Sequence, residues 1–164
     1  MKLTTVFAVI LPIAHIATAK ITGFMAPSTI GAGDKVKIVI TTSFNGTSVT
    51  EVAQTFGIAN GNAGNPEGKG QTLSAKFLGF DNSNINNNIN HYINIPADWP
   101  QGSADIASVL FEITTAPGSP NVPLNIFRNF KLPVTVGPLN STNADYRMSM
   151  EFTPPASNFT GRLG

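Results

Sequence analysis

Between Lys20 and Val136 apolar residues recur at every second position in short runs, and Gly, Asn, Asp and Pro separate the runs. A period of two marks a strand with one buried and one wet face; no stretch carries a useful length of the 3.6-residue helical period. Lys35 to Thr41 is the clearest case, with Val36, Ile38 and Ile40 on one face and Lys35 and Lys37 on the other. The Gly-rich turn A-P-S-T-I-G-A-G-D, Ala26 to Asp34, joins it to a short first strand at Ile21 to Phe24. Thr50 to Ala59 follows, with Val52, Phe56 and Ile58 as the expected inward residues. Asn60 to Gln71 is rich in Gly and Asn, which tolerate positive φ, and is expected as a loop.

Thr72 to Phe80 is apolar on both faces, as suits a strand covered on two sides or lying against a partner. Alternation resumes through Ile89, His91, Ile93 and Ile95, then along Ala107, Val109, Phe111 and Ile113. The last run sets Leu124, Ile126, Phe130, Leu132, Val134 and Val136 in phase, interrupted only by Arg128. Seven or so strands with turns between them predict an all-β fold, an immunoglobulin-like sandwich of two antiparallel sheets.

Both ends depart from this pattern. Residues 1–19 carry an early Lys2, an apolar middle and an A-T-A ending, the layout of a secretory signal peptide with cleavage between Ala19 and Lys20. Residues 138–164 form a Ser/Thr/Asn/Pro-rich tail, expected to be irregular, in which Tyr146 to Phe152 alone has the alternation to pair as an added strand. The β-sandwich domain is therefore placed at 20–137. The leader's apolar run is too short for a membrane span, and no other stretch of about 18 apolar residues follows. No apolar run closes the sequence, so a lipid-anchor signal is not expected.

Removing Lys2 with the leader takes the ten basic residues to nine, equal to the nine acidic ones. A neutral chain without a basic cluster argues against nucleic acid or anionic membrane as partner. The chain has no cysteine, so its stability rests on an ordinary core and the fold is expected to survive reducing conditions. It is expected as a monomer, without cofactor.

Candidate chemistry is sparse. I-P-A-D-W-P-Q-G, Ile95 to Gly102, reads as a tight connection in which Trp99 plugs the end of the sandwich. His91 is the one histidine beyond the leader, lies inside an alternating strand, and has no nucleophile-elbow motif beside it, so Ser-His-Asp hydrolysis is unsupported. One His and no Cys leave only carboxylates for a metal, without the spacing of a calcium loop. A glycosidase needs two carboxylates, but nothing in the spacing of Asp81, Asp98, Asp105 and Glu112 singles out a pair. The expectation is a protein that is not an enzyme. Asn45-Gly46-Thr47, Asn140-Ser141-Thr142 and Asn158-Phe159-Thr160 are candidate N-glycan acceptors. The asparagines of Asn82 to Asn90 read as the wet face of one strand.

Four motifs, in order, resemble the necrosis-inducing secreted protein family of filamentous fungi: A-K-I-T-G-F-M-A-P-S-T-I-G-A-G-D-K-V-K-I from Ala19, E-V-A-Q-T-F-G-I-A from Glu51, L-S-A-K-F-L-G from Leu73, and I-P-A-D-W-P-Q-G from Ile95. They span most of Lys20 to Val136; the asparagine-rich segment and the tail depart from the resemblance. It implies a secreted effector that suppresses plant pattern-triggered immunity by binding host immune kinases, a membrane co-receptor and a cytoplasmic kinase. It also implies an ability to provoke host cell death, with action in the host apoplast or cytoplasm. No catalytic residues come with it. The expected partner surface is the Asn60 to Gln71 loop and the Thr72 to Phe80 strand, with Phe77 and Phe80 as its apolar contacts. The alternative is a fungal cell-wall or polysaccharide-associated sandwich module, disfavoured by the missing anchor signal and the lack of an aromatic row of Trp and Tyr.

Overall fold

A computed structural model describes residues 19–44, 49–61, 70–116 and 119–153. In order these form β1 (Ala19–Pro27), β2 (Thr29–Gly31), β3 (Lys35–Phe44), β4 (Thr50–Asn60), β5 (Gln71–Phe77), a helical turn α1 (Gly79–Asn82), β6 (Ile89–Asn94), β7 (Gly102–Ala116), β8 (Ser119–Gly137), β9 (Tyr146–Met148) and β10 (Met150–Phe152). One sheet runs β6-β3-β1-β9 and the other β10-β8-β7-β4-β5, with β2 added to β8. Pairing is antiparallel except for β2 on β8, where Thr29, Ile30 and Gly31 run parallel to Thr135, Val136 and Gly137. The all-β sandwich predicted from the period of two is the fold of the chain.

Each sheet turns one apolar face inward. Phe24 of β1 meets Phe56 of β4 edge-on across the gap, with ring centroids 5.5 Å apart at 87°; such a pair adds about 0.5–1.5 kcal/mol to simple burial. Ile38, Ile40, Ile58, Ile106, Leu110 and Phe130 close around them without solvent exposure. Trp99 is partly buried and packs against this core, as the loop motif suggested.

Phase is where sequence and structure part. A β-bulge between Glu51 and Ala53 shifts the register of β4 on β7, so Glu51 and Gln54 are buried while Val52, expected inside, is half-exposed. In β7 the core face is Ala104, Ile106 and Leu110; Ala107, Val109, Phe111 and Ile113 share the opposite face. The strand expected to run through Phe80 ends at Phe77, because Gly79 takes φ 58° and starts α1.

Arg128, the interruption in β8, faces inward and ties three strands together. Its Nη1 donates to the Ile21 carbonyl at 2.6 Å and to Glu112 Oε1 at 3.1 Å, while Nε and Nη2 grip the two oxygens of Glu151. Lys20 Nζ stands 3.2 Å from the other oxygen of Glu112, a side chain with 0% exposure. Burial alone disfavours the Arg128 charge, but the Glu151 hydrogen bonds and the field of Glu112 outweigh it and hold the guanidinium protonated. Glu51, directly opposite Glu112, accepts from the Ile21 N–H at 2.9 Å and from Ser83 Oγ and Asn84 N. The two buried glutamates thus hold β1 through both polar groups of Ile21, one directly and one through Arg128.

The tail forms β9 on β1 and β10 on β8, and the chain changes sheets at Ser149. Ser149 N–H donates to Phe24 O at 2.8 Å, and its Oγ accepts from Phe24 N–H at 2.9 Å. This clasp depends on Gly23, where an added Cβ would lie 2.7 Å from Ser149 Oγ. Gly23→Ala is therefore expected to destabilise the fold by about 1–3 kcal/mol through overpacking. Urea denaturation measures it, and an unchanged midpoint would show that the added methyl is accommodated without disturbing the clasp. Ahead of β9, the Asp34 carboxylate accepts from Thr142 Oγ1 (2.5 Å), Asn140 N (2.7 Å) and Thr142 N (3.2 Å). These bonds, the Thr142 hydroxyl foremost, hold Asp34 below the usual carboxylate range.

Candidate docking surface

The outer face of the larger sheet carries a row of aromatic residues that the sequence pattern does not single out as a set. Phe77 on β5, Ala53 on β4, Phe111 on β7 and Phe127 on β8 are successive cross-strand partners. In antiparallel pairing partners share a face, so the row crosses four adjacent strands. Phe77 is 72% exposed and Phe127 63%. Phe111 and Phe127 stack on each other, centroids 5.1 Å apart at 17°. Phe77 stands two strand spacings from Phe111, about 10 Å, and the small Ala53 between them forms the floor of a trough. The next row is Ala75, Thr55, Val109 and Asn129.

Beside Phe77 the trough opens into a groove of about 460 Å³ lined by Thr50, Val52, Phe77, Leu78, Gly79, Asp81 and Asn82. The bulge at Val52 turns that side chain toward the groove, and Gly79 makes room for the Phe77 ring, whose Cε1 lies 2.8 Å from where a Cβ would be. Further along the same face Lys131 and Asp105 neutralise one another at 2.8 Å. The sheet face is thus apolar apart from that pair, with Asp81 as an exposed carboxylate at the rim of the groove, and among the described residues no element covers it. Large exposed apolar patches of this kind mark interaction sites.

Of the two residues expected to form a partner surface, Phe77 heads this row; the side chain of Phe80 lies outside the described residues, as does most of the Asn60 to Gln71 loop. The sequence pattern does not mark Phe111 and Phe127 as contacts: Phe127 is out of phase with the buried residues of β8, and periodicity alone does not tell which face of β7 is outermost. Asn140 is exposed in a turn with φ 63°, whereas Asn45 and Asn158 lie outside the described residues. Of the cleavage pair, Ala19 is buried and Lys20 is half-buried in β1; the leader before them is not described. Glu112 is sealed in its ion pairs, Asp105 is paired, Asp98 is exposed, and Asp81 lines the groove. Among the described residues no three His, Cys, Asp or Glu side chains are grouped to hold a metal, and no helix is long and apolar enough to cross a membrane.

His91 bridges the two sheets at their open edge. Its Nε2 lies 2.6 Å from Ser74 Oγ of β5, and its ring stacks on Phe56 at 5.3 Å. Burial, and then the charge of Lys76, pushes its pKa below the ordinary histidine value of 6.5. A depressed folded-state pKa means that the unfolded chain takes up the proton first, so stability falls as pH drops below about 6.5 and levels off below the folded pKa. The expected result is a melting temperature that declines between pH 7 and 5 in the wild type and declines less in His91→Gln. Equal slopes would remove His91 from the acid response. The carboxylates Asp34 and Glu151, both held below their usual range, lose their contribution only at lower pH.

A model of the Nis1 family matches residues 17–127. The chain is 33% identical over 164 residues to "Necrosis-inducing secreted protein 1" of Colletotrichum orbiculare, covering 100% of this chain and 96% of the relative. It is 35% identical over 126 residues to the protein of the same name from Colletotrichum higginsianum, covering 77% of this chain and 84% of that one. The matched span includes Phe77, Phe111 and Phe127.

Proposed function

Because the chain belongs to the Nis1 family, we propose that it is a secreted fungal effector that binds host immune kinases through the aromatic row of its larger sheet. Binding there suppresses pattern-triggered immunity by occluding the kinases, and host cell death is one outcome, in keeping with the name of its relatives. The observation that carries the docking half of this reading is the uncovered row Phe77–Ala53–Phe111–Phe127 beside an apolar groove. Its aromatic side chains are of the type that dominates protein interfaces, since they desolvate large apolar area at low entropy cost. Occlusion needs no catalytic residue, so the protein acts by binding rather than as an enzyme. A fold without cysteine serves equally in the apoplast and in the reducing host cytoplasm.

The test is titration of the folded secreted chain against purified kinase domains of plant immune receptor complexes, with kinase activity followed in parallel. Saturable binding with loss of activity supports the reading. Absence of binding by a folded chain would contradict it and turn attention to wall polysaccharides. The row itself favours protein over sugar: Phe111 and Phe127 each give one ring face to the other, and the row holds no Trp or Tyr for sugar stacking.

A further inference from the structure

The segment 138–145 closes the end of the sandwich remote from the aromatic row, and it contains the sequon Asn140-Ser141-Thr142. We propose that Asn140 carries an N-linked glycan, attached before this segment docks. The Asn140 side chain is exposed, and its amide has no hydrogen-bond partner among the described residues. What holds residue 140 in place is its backbone N–H on Asp34 Oδ1 at 2.7 Å, which a glycan on the side chain leaves intact. Its φ of 63° places it at the apex of a surface turn.

The timing follows from Thr142. A transferase acting on N-x-[S/T] reads the hydroxyl two residues after the asparagine. In the folded chain that hydroxyl is spent: it donates to Asp34 Oδ2 at 2.5 Å and accepts the Gly31 N–H at 2.9 Å. Asn140 is therefore an acceptor only while the segment is undocked, during export. In the transfer, Asn140 Nδ2 bonds to the anomeric carbon of a lipid-linked oligosaccharide diphosphate. The bond from that carbon to the diphosphate oxygen breaks, the lipid diphosphate leaves with the electron pair, and one amide proton passes to the transferase.

Placement gives the glycan a consequence. Gly102 of β7 pairs with Val136, close to Asn140 in sequence, and Phe111 lies nine residues further along the same strand, about 30 Å away at roughly 3.3 Å per residue. The sugar thus shields one end of the sandwich and leaves the aromatic row bare.

The experiment is expression of the full chain in a eukaryotic secretory host, followed by peptide N-glycosidase treatment and mass mapping of the peptide that contains residue 140. Conversion of Asn140 to Asp is the expected result; an unmodified Asn140 in the secreted protein overturns the proposal. Asn140→Gly is the matching negative variant, because glycine keeps the positive φ, and Thr142→Ser is expected to retain modification. In a second arm the unglycosylated chain, folded or urea-unfolded and freshly diluted, is offered to purified transferase with lipid-linked oligosaccharide. The unfolded form is expected to be modified at Asn140 at least tenfold faster. Equal rates would contradict attachment before docking.

Discussion

Arg128→Leu is expected to lower stability by about 3–5 kcal/mol, the usual loss when one partner of a buried ion pair is removed. The Glu112 side chain has 0% exposure and would be left with Lys20 alone, at 3.2 Å, while the Ile21 carbonyl would lose its 2.6 Å donor. A loss of that size is a large part of the 5–15 kcal/mol that holds a typical domain together, and corresponds to a melting temperature lower by about 10 °C or more. The Arg128–Glu151 pair is bidentate but open to water on its carboxylate side, where Glu151 is 49% exposed, so it contributes less than the fully buried Glu112 pair. Glu151→Gln should therefore be milder. Replacing Glu112 and Arg128 together by leucine should recover much of the loss, since no unpaired buried carboxylate remains and Lys20, 19% exposed, can turn to water. Urea denaturation followed by circular dichroism distinguishes these outcomes; a loss below about 1 kcal/mol for Arg128→Leu alone would mean that water reaches Glu112.

The second large effect concerns binding. Phe127→Asp is expected to weaken kinase binding by at least a hundredfold while the chain remains folded, because Phe127 is 63% exposed and its loss opens no core cavity. The new carboxylate must be desolvated in an apolar contact, beside the unpaired ring of Phe111. Phe77→Asp, at the other end of the row, is expected to act in the same direction. Leu139→Asp is the control: it is 62% exposed but lies beside the Asp34 turn at the opposite end of the sandwich. Affinity measured by calorimetry decides the matter. A hundredfold loss from Leu139→Asp, with Phe127→Asp neutral, would move the docking surface to the other end.

The strands were legible in the sequence because a half-buried sheet imposes a period of two, and Val36, Ile38 and Ile40 display it without interruption. What the period cannot encode is an event that changes phase. The bulge at Glu51/Ala53 buries a glutamate and exposes Val52, and nothing in E-V-A-Q marks it. Arg128 broke the alternation of β8 and turned out to face inward, where it joins residues separated from it by 107, 16 and 23 positions. The tail showed the same limit. Tyr146 to Phe152 carried a recognisable alternation, but its docking depends on Ser149 meeting Phe24 and Thr142 meeting Asp34, contacts 125 and 108 positions apart. Phe77 stood out in the sequence because it lies in a run, Thr72 to Phe80, that is apolar on both faces; Phe111 and Phe127 come into line with it only through the register.

On the proposed function, the outer face of β5-β4-β7-β8 is the face that meets the host kinase. Hydrogen–deuterium exchange of the full chain, free and saturated with kinase domain, tests it most directly. Protection concentrated in Phe77 to Asn82, Val109 to Ile113 and Asn125 to Asn129, with the Asp34 turn and Asn140 unchanged, is the predicted result. Protection confined to the Asp34 turn and the 138–145 segment, with the aromatic row exchanging as in the free protein, would contradict it.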